Sequence, residues 1–342
     1  TTTTSMVATI LNHAGLDPTV VVGGKVAAMG GSNARVGHSD FLVVESDESD
    51  RSFLKLAPIL AVVTNIDREH LDCYSSLEDI RSSFIEFVNK VPFYGAVILC
   101  LDDENVNGIL PEIRRRTITY GKSAQADLSA SDISCTPFSS TFRLHFHDAD
   151  LGAFHLRIPG EHNVLNATAA VGVALELSVQ PDVIRAGLEI FSGVDRRFQL
   201  RGEARGVTVI DDYGHHPTEI RATLSAARSC DPERIHVLFQ PHRYTRTQHL
   251  MDDFARAFHQ ADRVHVLDIY AASEKPIPGI TAEAMVERIR QFGHRSVAYA
   301  PSMDAGVKAI LADVKPNEMA ITLGAGNVWQ AGDSILEGLR RG

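Results

Sequence analysis

Short apolar runs rich in Val and Ile alternate with longer segments of helical period along most of the chain. This alternation is typical of parallel sheets covered by helices, so the sequence predicts an α/β protein. In the first part of the chain we expect strands at residues 41–44, 61–64 and 96–100, each followed by polar residues. Because ligands of open parallel sheets bind beyond the carboxyl ends of the strands, these polar residues are predicted to lie where chemistry is done.

The pattern changes at about residues 126–159, where short stretches of alternating apolar and polar residues predict antiparallel strands. A helix is expected at residues 163–177, with Ala and Leu along one face. After Asp195 a second alternating series begins, with strands expected at residues 207–210, 235–239, 263–267, 296–299 and 319–323. The sequence therefore predicts a second doubly wound domain with its boundary near Asp195.

Length and composition favour two domains without a membrane-spanning helix. Single cores stop growing at about 250–300 residues, and this chain has 342. It contains 44% apolar and 22% charged residues, with no apolar run near the roughly 20 residues that a membrane helix needs. The net charge of −10 argues against a nucleic-acid partner, which usually requires a basic face. The scattered cysteines form no CxxC pair, so we expect neither zinc nor disulfides, and a reducing cytoplasm fits best.

The first residues, Thr1-Thr2-Thr3-Thr4, stand directly before an apolar helical pattern and carry no signal-peptide pattern. A threonine run at the start of a helix is usually a cap and a solvated turn. The alternative is that Thr1 is the hydroxyl that ends a G-x-x-x-x-G-K-[ST] loop, so that the chain begins inside its own phosphate-binding loop. Glu45 favours this alternative, because nucleotide sites hold magnesium between a loop hydroxyl and a carboxylate at the end of a strand.

Three further sets of polar residues have both a functional and a structural interpretation. His70 follows the strand at 61–64, at the carboxyl edge that we also expect to hold Glu45. It is a candidate ligand of a second magnesium ion, although magnesium prefers oxygen. Asn163 and Asn166 lie three residues apart on one face of a helix start, where Asn163 could simply be a cap. Arg197 could clamp a phosphoryl group with its planar guanidinium, or be an ordinary charge at a hinge.

Six strings resemble those of a known family: ESDESD at 45–50, TNIDREHLD at 64–72, GEHNVLN at 160–166, RRF at 196–198, DDYGHHPTE at 211–219 and FQPHRYTRT at 239–247. On these strings, which run in order across essentially the whole chain, the sequence resembles the Mur ligase family. The last two strings discriminate best, because related ligases and folylpolyglutamate synthases share the ATP site but not these loops. The resemblance implies that ATP phosphorylates the muramate carboxylate of UDP-N-acetylmuramate, and that the amine of L-alanine attacks the acyl phosphate to leave an amide, ADP and phosphate.

The resemblance also implies roles for individual residues. Two magnesium ions would be held by Thr1, Glu45 and His70, and ATP would be bound by Thr1, Thr2, Asn163, Asn166 and Arg197. The substrates would be bound by Asp212, Tyr213, His215, Arg243 and Arg246, and the residues closest to the chemistry would be His70, Arg197, His215, His216 and Arg243. A neutral histidine, His215 or His216, could accept the proton of the incoming amine.

The implied fold is a central P-loop-type ATPase domain over residues 1–195, with a parallel sheet and a small antiparallel segment, followed by a Rossmann-like amino-acid-binding domain over residues 196–342. The family's amino-terminal domain and the Gly-Lys of its phosphate loop are not in this sequence. We therefore expect a chain that begins at Thr1 to be inactive by itself. Several relatives carry a carbamylated lysine near the second metal, where this chain reads Ser82-Ser83-Phe84.

Three other functions are alternatives at this point. A related ligase that attaches a tripeptide to the same sugar shares the fold and much of the ATP site. The chain could also be a nucleotide-binding module without catalysis, or a simple phosphotransferase. The polar residues at both predicted sheet edges favour an enzyme. The sequence leaves the oligomeric state open.

Overall fold

The computed structural model describes residues 1–26, 31–70 and 72–341. Leu71 of the string at 64–72 and Gly342 of the second predicted domain lie outside the described residues. The chain divides into two compact units, Thr1–Asp195 and Arg196–Gly342. Three sheets form their frameworks. The predicted α/β class is confirmed.

The first sheet of the first unit has three strands: β1 (Thr19–Val26), β2 (Ser32–Arg35) and β3 (Leu42–Val44). Strand β1 is central, antiparallel to β2 and parallel to β3. Helix α1 (Thr2–His13) buries Met6, Ile10 and Leu11, whose spacing of about one helical turn puts them on one face. The threonine run therefore forms the first turn of a helix.

The second sheet of this unit has six strands in sequence order: β4 (Leu60–Val63), β5 (Ala96–Cys100), β6 (Thr117–Gly121), β7 (Leu128–Thr136), β8 (Ser139–Phe146) and β9 (Ala149–Leu156). The first four are parallel, and β8 is antiparallel to both β7 and β9. The predicted antiparallel segment is thus confirmed. The further α-helices of the first unit are α2 (Leu77–Asn89), α3 (Glu104–Ile109), α4 (Glu161–Glu176) and α5 (Pro181–Glu189).

One feature of this arrangement differs from the sequence prediction. The strand that carries Glu45 at its end, β3, belongs to the three-stranded sheet, whereas β4 and β5 belong to the six-stranded sheet. Glu45 and His70 therefore do not share the edge of one sheet, and our expectation on this point was wrong. The cause is β1, an unpredicted strand that pairs with β3.

The sheet of the second unit has six strands: β10 (Gln199–Ala204), β11 (Val207–Asp212), β12 (Ile235–Phe239), β13 (Arg263–Val266), β14 (Val297–Tyr299) and β15 (Met319–Leu323). Their order in the sheet is β10-β11-β15-β12-β13-β14. Only β10, an edge strand, pairs antiparallel among these six, and the five strands predicted from the sequence are all present. The helices are α6 (Pro217–Ser229), α7 (Tyr244–His249), α8 (Met251–Ala257), α9 (Ala282–Gln291), α10 (Met303–Asp313) and α11 (Gln330–Arg341).

The sheet of the second unit is fully buried at its centre. All five residues of β12 and of β15 are buried, which accounts for their largely apolar sequences; the polar residue within each strand, His236 and Thr322, is buried as well. Polar residues follow at the carboxyl ends of β11, β12 and β15, so the loops that carry them lie at one edge. Among the helices of the described segments, none is long and apolar enough to cross a membrane.

Candidate active site

In the first unit, Thr1 and Glu45 are in direct contact. The hydroxyl of Thr1 donates to Oε1 of Glu45 at 2.6 Å, and the backbone N–H of Gly23 donates to Oε2 of the same carboxylate at 2.5 Å. A Cβ at Gly23 would lie 3.1 Å from Oε2, so the glycine lets β1 approach this closely. The contact joins a hydroxyl and a carboxylate whose residues are 44 positions apart in the sequence. Both are oxygen ligands of the kind that magnesium prefers.

His70 lies in a second group of side chains, with two glutamates. Its Nε2 is 3.5 Å from Oε1 of Glu48 and 3.9 Å from Oε2 of Glu69. One potential ligand atom from each of the three residues lies within 4.8 Å of the others. Glu48 lies four residues after the end of β3. The loop after β3 therefore contacts His70 through Glu48. The backbone of His70 has a φ of 54°, in the left-handed region that non-glycine residues seldom adopt.

A cavity of about 180 Å³ opens at this group. Polar side chains from the ends of β3 and β4 line one part of it, and the aromatic rings of Phe53, Phe84 and Phe87 line another. The rings of Phe84 and Phe87 both pack against Phe53, with centroids 5.3 and 5.1 Å from its own. Glu48 and Glu69 were not singled out by the sequence, although both stand within strings that carry the family resemblance.

Asn166 links α4, in which it lies, to α1. Its Oδ1 accepts the hydroxyl of Thr3 in α1 at 2.8 Å, and its Nδ2 donates to Oδ1 of Asn163 at 3.3 Å. Asn163, which is buried, donates through Nδ2 to the carbonyl of Pro159 at 2.7 Å. Neither asparagine caps α4 with its side chain, because the cap residue is Gly160. The pair therefore fixes the start of α4 beside the threonine run of α1.

In the second unit, β11 ends in two buried carboxylates. Asp211 accepts the hydroxyl of Thr322 at 2.6 Å and Nε of Arg196 at 3.1 Å. Burial raises the pKa of Asp211, and it raises the pKa of Asp212 to about 6 despite the nearby charge of Arg197. Both oxygens of Asp212 accept backbone N–H groups, from Phe198 and Gly214, at 2.7 Å. Asp212 therefore holds protein backbone with both oxygens.

Tyr213 is packed against two arginines of the turn at the start of the unit. The guanidinium carbons of Arg196 and Arg197 lie 4.9 and 5.1 Å from the centroid of its ring. Arg196 also donates to the carbonyl of Gly324 at 2.6 Å, which ties the turn to the loop after β15. Arg197 donates to Oε1 of Glu219 at 3.2 Å. The turn is thus attached to the loops after β11 and β15 and to α6.

The histidines that follow β11 have different surroundings. Nδ1 of His215 lies 3.1 Å from the carbonyl oxygen of Tyr213 and 3.3 Å from Oε2 of Glu219. His216 is the N-cap of α6: its Nδ1 accepts the backbone N–H of Thr218, and Glu219 completes a capping box. His216 is 4% exposed, so its ring is a buried cap.

His242 and Arg243 lie in the loop after β12, and Arg246 follows in α7. The ring of His242 stacks on Tyr270 with centroids 5.5 Å apart, and Nη1 of Arg246 lies 3.2 Å from Nδ1 of His242. The backbone of Arg243 has a φ of 70° and donates to the carbonyl of Tyr270. This backbone strain is of the kind found at functional sites.

Glu274 contacts the end of this loop and the first turn of α7. Its carboxylate accepts the N–H and the hydroxyl of Thr245 at 3.0 and 2.7 Å and lies 4.0 Å from Nη1 of Arg243. Burial raises the pKa of Glu274, but the hydrogen bonds from Thr245 outweigh it and hold the pKa below its usual value. His242, Tyr270 and Glu274 were not singled out by the sequence. A polar residue at the end of each parallel strand was the signal available for the first two.

Two family profiles match the chain. Residues 1–174 match the Mur ligase middle domain, and residues 196–326 match the Mur ligase, glutamate ligase domain. The chain is 73% identical over 340 residues to the UDP-N-acetylmuramate–L-alanine ligase of Solibacter usitatus, covering 99% of this chain and 72% of that protein. It is 54% identical over 341 residues to the ligase of the same name from Acidobacterium capsulatum, covering 99% and 74%.

Solved structures give the same fold. The crystal structure of UDP-N-acetylmuramate-alanine ligase MurC from Thermotoga maritima matches with a TM-score of 0.81 at 28% identity, over 98% of this chain and 72% of that one. The MurF ligase of Thermotoga maritima in complex with ADP matches with a TM-score of 0.78 over 99% of this chain and 78% of that one. At 17% identity, the second comparison shows similarity of fold alone.

Proposed function

Because this chain belongs to the Mur ligase family, we propose that it uses ATP to join L-alanine to the muramate carboxylate of UDP-N-acetylmuramate, a step of peptidoglycan precursor synthesis. The observation that carries the proposal is 73% identity, across 99% of the chain, to a relative named for this reaction. Since the substrates are nucleotides and an amino acid, we place the reaction in the cytoplasm. Residues 1–195 would bind ATP, and residues 196–342 would bind the amino acid.

The first unit offers ligands for magnesium in two places. Thr1 and Glu45 would hold one ion, since a hydroxyl and a carboxylate already meet at 2.6 Å. His70 would serve a second ion together with Glu48 and Glu69, whose carboxylates supply the oxygens that magnesium prefers. When bound, such ions neutralise charge on the phosphate oxygens. Several relatives have a carbamylated lysine near the second metal, where this chain has Ser82-Ser83-Phe84. Glu48 and Glu69 would supply the carboxylate oxygens there instead.

The nucleotide would lie against the threonine run and the start of α4. Thr1 and Thr2 stand at the beginning of α1, where backbone N–H groups favour phosphate. Asn163 and Asn166 would face the adenine or the ribose. The hydrogen bond between Asn166 and Thr3 supports this assignment, because it ties the two segments together at one place.

The second unit would supply the amino-acid side of the reaction. Arg243 and Arg246 would bind carboxylates, and Arg197 would face the transferred phosphoryl group, since a guanidinium fork matches such oxygens. Tyr213 and His215 would contact the substrate, with His215 or His216 as the base. We propose that Asp212 positions these groups rather than contacts the substrate, because both of its oxygens already accept backbone N–H groups.

The chemistry that these residues must support has two steps. A carboxylate oxygen of the muramate attacks the γ-phosphorus of ATP, and the bond to ADP breaks. The amine then attacks the carbonyl carbon, the carbon–oxygen bond to phosphate breaks, and phosphate leaves with the electron pair. Positioning and charge stabilisation supply most of the rate enhancement in such reactions.

The test uses the intact gene product with UDP-N-acetylmuramate, ATP and L-alanine. We expect phosphate release that depends on L-alanine, together with an amide product whose mass is that of the two substrates less water. Selective use of a tripeptide in place of L-alanine would identify the related tripeptide-adding ligase instead. Phosphate transfer without an amide would indicate a phosphotransferase, and no amino-acid-dependent phosphate release would indicate a binding module.

A further inference from the structure

Three histidines, His215, His216 and His242, follow strands β11 and β12 of the second unit, and each has a different partner at Nδ1. Because the partner decides which ring nitrogen carries the proton, the three rings cannot play the same role. From these contacts we infer that His215 is the general base that takes the proton of the attacking amine, that His216 is a structural cap, and that His242 is a hydrogen-bond donor. This inference rests on the proposed function and assigns a base that the sequence left open between His215 and His216.

His216 uses its acceptor nitrogen for the fold. The backbone N–H of Thr218 can only donate, so Nδ1 of His216 must carry the lone pair and Nε2 the proton in the neutral ring. Protonation of Nδ1 would remove the side-chain cap of α6. The ring is also 4% exposed. Accepting a proton from a substrate would therefore disrupt the helix start.

His242 has its lone pair directed at a cation. A guanidinium can only donate, so Nδ1 of His242 is the acceptor in its contact with Arg246 at 3.2 Å, and Nε2 carries the proton. Burial, followed by the neighbouring His215 and the charges of Arg246 and Arg243, lowers the pKa of His242 to about 4, against the opposing effect of Glu274. The ring is thus neutral at physiological pH. It can donate through Nε2 to a substrate oxygen but is a poor proton acceptor.

His215 has the opposite arrangement. A carbonyl oxygen can only accept, so Nδ1 of His215 must donate to the carbonyl of Tyr213 at 3.1 Å, with the carboxylate of Glu219 at 3.3 Å. The lone pair of the neutral ring is then on Nε2. A carboxylate beside the donating nitrogen stabilises the imidazolium that forms when Nε2 takes a proton, as in other histidine bases held by an acid.

The orientation of the His215 ring is fixed by its neighbours. It meets the rings of Tyr213 and His242 edge to face, with centroids 5.3 and 5.8 Å apart. Charged and titratable groups surround it: Glu219 from α6, His242 from the loop after β12, and, beyond Tyr213 and Glu219, the residues Arg196, Arg197 and Asp212. The ring is therefore held in one tautomer and one position before any substrate binds.

Amide formation moves one proton from the attacking amine to His215. The lone pair of the neutral amine of L-alanine forms the bond to the carbonyl carbon of the acyl phosphate. The amine nitrogen, now positive, passes a proton to Nε2 of His215. Collapse of the tetrahedral adduct breaks the carbon–oxygen bond, and phosphate leaves with the electron pair. Formation of the acyl phosphate precedes this step and needs no proton acceptor.

The experiment separates the two half-reactions in the intact gene product. Acyl phosphate is trapped by borohydride, which reduces it to the alcohol, while amide formation is measured by mass spectrometry. We expect His215→Gln to form acyl phosphate at the wild-type rate but to lower kcat for the amide about 100-fold or more, in the range of general-base effects. Added imidazole should restore part of the activity of His215→Ala. The exposed His259 provides a matched control, His259→Ala.

The pH dependence gives an independent readout. Wild type and His259→Ala should lose kcat as the pH is lowered, and His215→Gln should not show this loss. His216→Ala should keep the pH dependence but unfold at a lower temperature, because alanine cannot cap α6. Normal amide formation by His215→Gln, or loss of the pH dependence in His242→Gln alone, would overturn the assignment. So would loss of acyl phosphate in His215→Gln. Absence of acyl phosphate in the wild type would instead overturn the proposed function itself.

Discussion

Asp212 accepts the backbone N–H of Phe198 at 2.7 Å and so fastens the turn at the start of the second unit to the end of β11. Its other oxygen accepts the N–H of Gly214, where a Cβ would lie 2.8 Å from that oxygen. Phe198 has a φ of 46°, so its conformation depends on such external support. One carboxylate thus fixes the backbone at Phe198, which follows Arg197, and at Gly214, which precedes His215. We assign chemistry to both Arg197 and His215.

This relationship predicts an unusual pH dependence of stability. Burial raises the pKa of Asp212 to about 6, above its value of about 3.9 in an unfolded chain. Between these values the folded protein binds the proton more tightly than the unfolded chain does, so ionisation of Asp212 lowers stability as the pH rises through 6. We expect the free energy of unfolding of wild type, relative to Asp212→Asn, to be greater at pH 5 than at pH 7.5.

Denaturant unfolding of both proteins at the two pH values measures this difference. Asp253→Asn, a change at an exposed position of α8, controls for the removal of one surface carboxylate. If the free energy of unfolding of wild type, relative to Asp212→Asn, were instead greater at pH 7.5 than at pH 5, the hydrogen bonds to Asp212 would outweigh the effect of burial on its pKa.

Many parallel strands could be predicted because their sequences are short, mainly apolar runs. Strand β5 begins and ends as predicted, and all five of its residues are buried. Strand β1 was missed because Gly23 and Gly24 interrupt its apolar run, and glycine weakens strand propensity. The reason for Gly23 is tertiary, namely the carboxylate of Glu45, which lies 3.1 Å from where a Cβ would stand. Without β1, the separation of β3 from the six-stranded sheet could not be foreseen.

The sequence predicted which motifs form the candidate site, but not which of their residues contact each other. The pair Thr1 and Glu45 follows from the spacing of a hydroxyl and a strand-end carboxylate. The contact of Glu48 with His70 joins loops from two different sheets, which no local pattern reports. That Asp212 and His216 bind backbone instead of solvent depends on burial, and the DDYGHHP string is the same in either case.

The contact between Thr1 and Glu45 predicts an effect on magnesium dependence. In Glu45→Gln the side chain loses its negative charge, while its size is kept. We expect this variant to need at least about 10-fold more magnesium for half-maximal activity, since a shift of about 1.4 kcal/mol in binding gives that factor. Titration of ATP turnover with magnesium in the intact gene product measures it.

Asp47 provides the matched control, because its carboxylate lies in the same loop, is exposed and accepts the N–H of Ser49 at 2.8 Å. Asp47→Asn should leave the magnesium requirement as in wild type. Equal magnesium curves for Glu45→Gln and wild type would remove Glu45 from the metal site.

A buried network at the amino-terminal ends of β12 and β15 predicts a second effect on stability. Glu318, 3% exposed, accepts Nε of Arg234 at 2.6 Å and lies 2.8 Å from Nε2 of the fully buried His236. Burial raises the pKa of Glu318, but the hydrogen bonds from Arg234 and His236 outweigh burial and lower it below its usual value. We expect Glu318→Gln to lose about 1–3 kcal/mol of stability at pH 7.

The sign of the pH dependence is opposite to that of Asp212. Because the folded pKa of Glu318 is lowered, its contribution is present above the unfolded value of about 4.3 and is lost as the pH falls through the folded value. The difference between wild type and Glu318→Gln should therefore narrow below about pH 4. A difference that stayed constant from pH 7 to pH 3 would mean that the charge of Glu318 contributes nothing. Glu337→Gln, on α11 with an exposed ion pair, is the control.

Arg197 provides the last prediction, because its guanidinium makes two contacts that one ammonium group cannot reproduce. It lies over the ring of Tyr213 and donates to Glu219 at 3.2 Å, and both partners also contact His215. A lysine carries one compact charge without the planar fork, so Arg197→Lys should keep the fold but lose the geometry toward a phosphoryl group. We expect acyl phosphate formation to slow by about 100-fold, the scale of a lost transition-state donor. Arg221→Lys, at an exposed position of α6, should not slow it.

Because the base acts only after the acyl phosphate has formed, Arg197→Lys and His215→Gln should fail at different steps. Borohydride trapping should therefore yield little alcohol from the first variant and a normal amount from the second, and equal yields would contradict the division of roles between them.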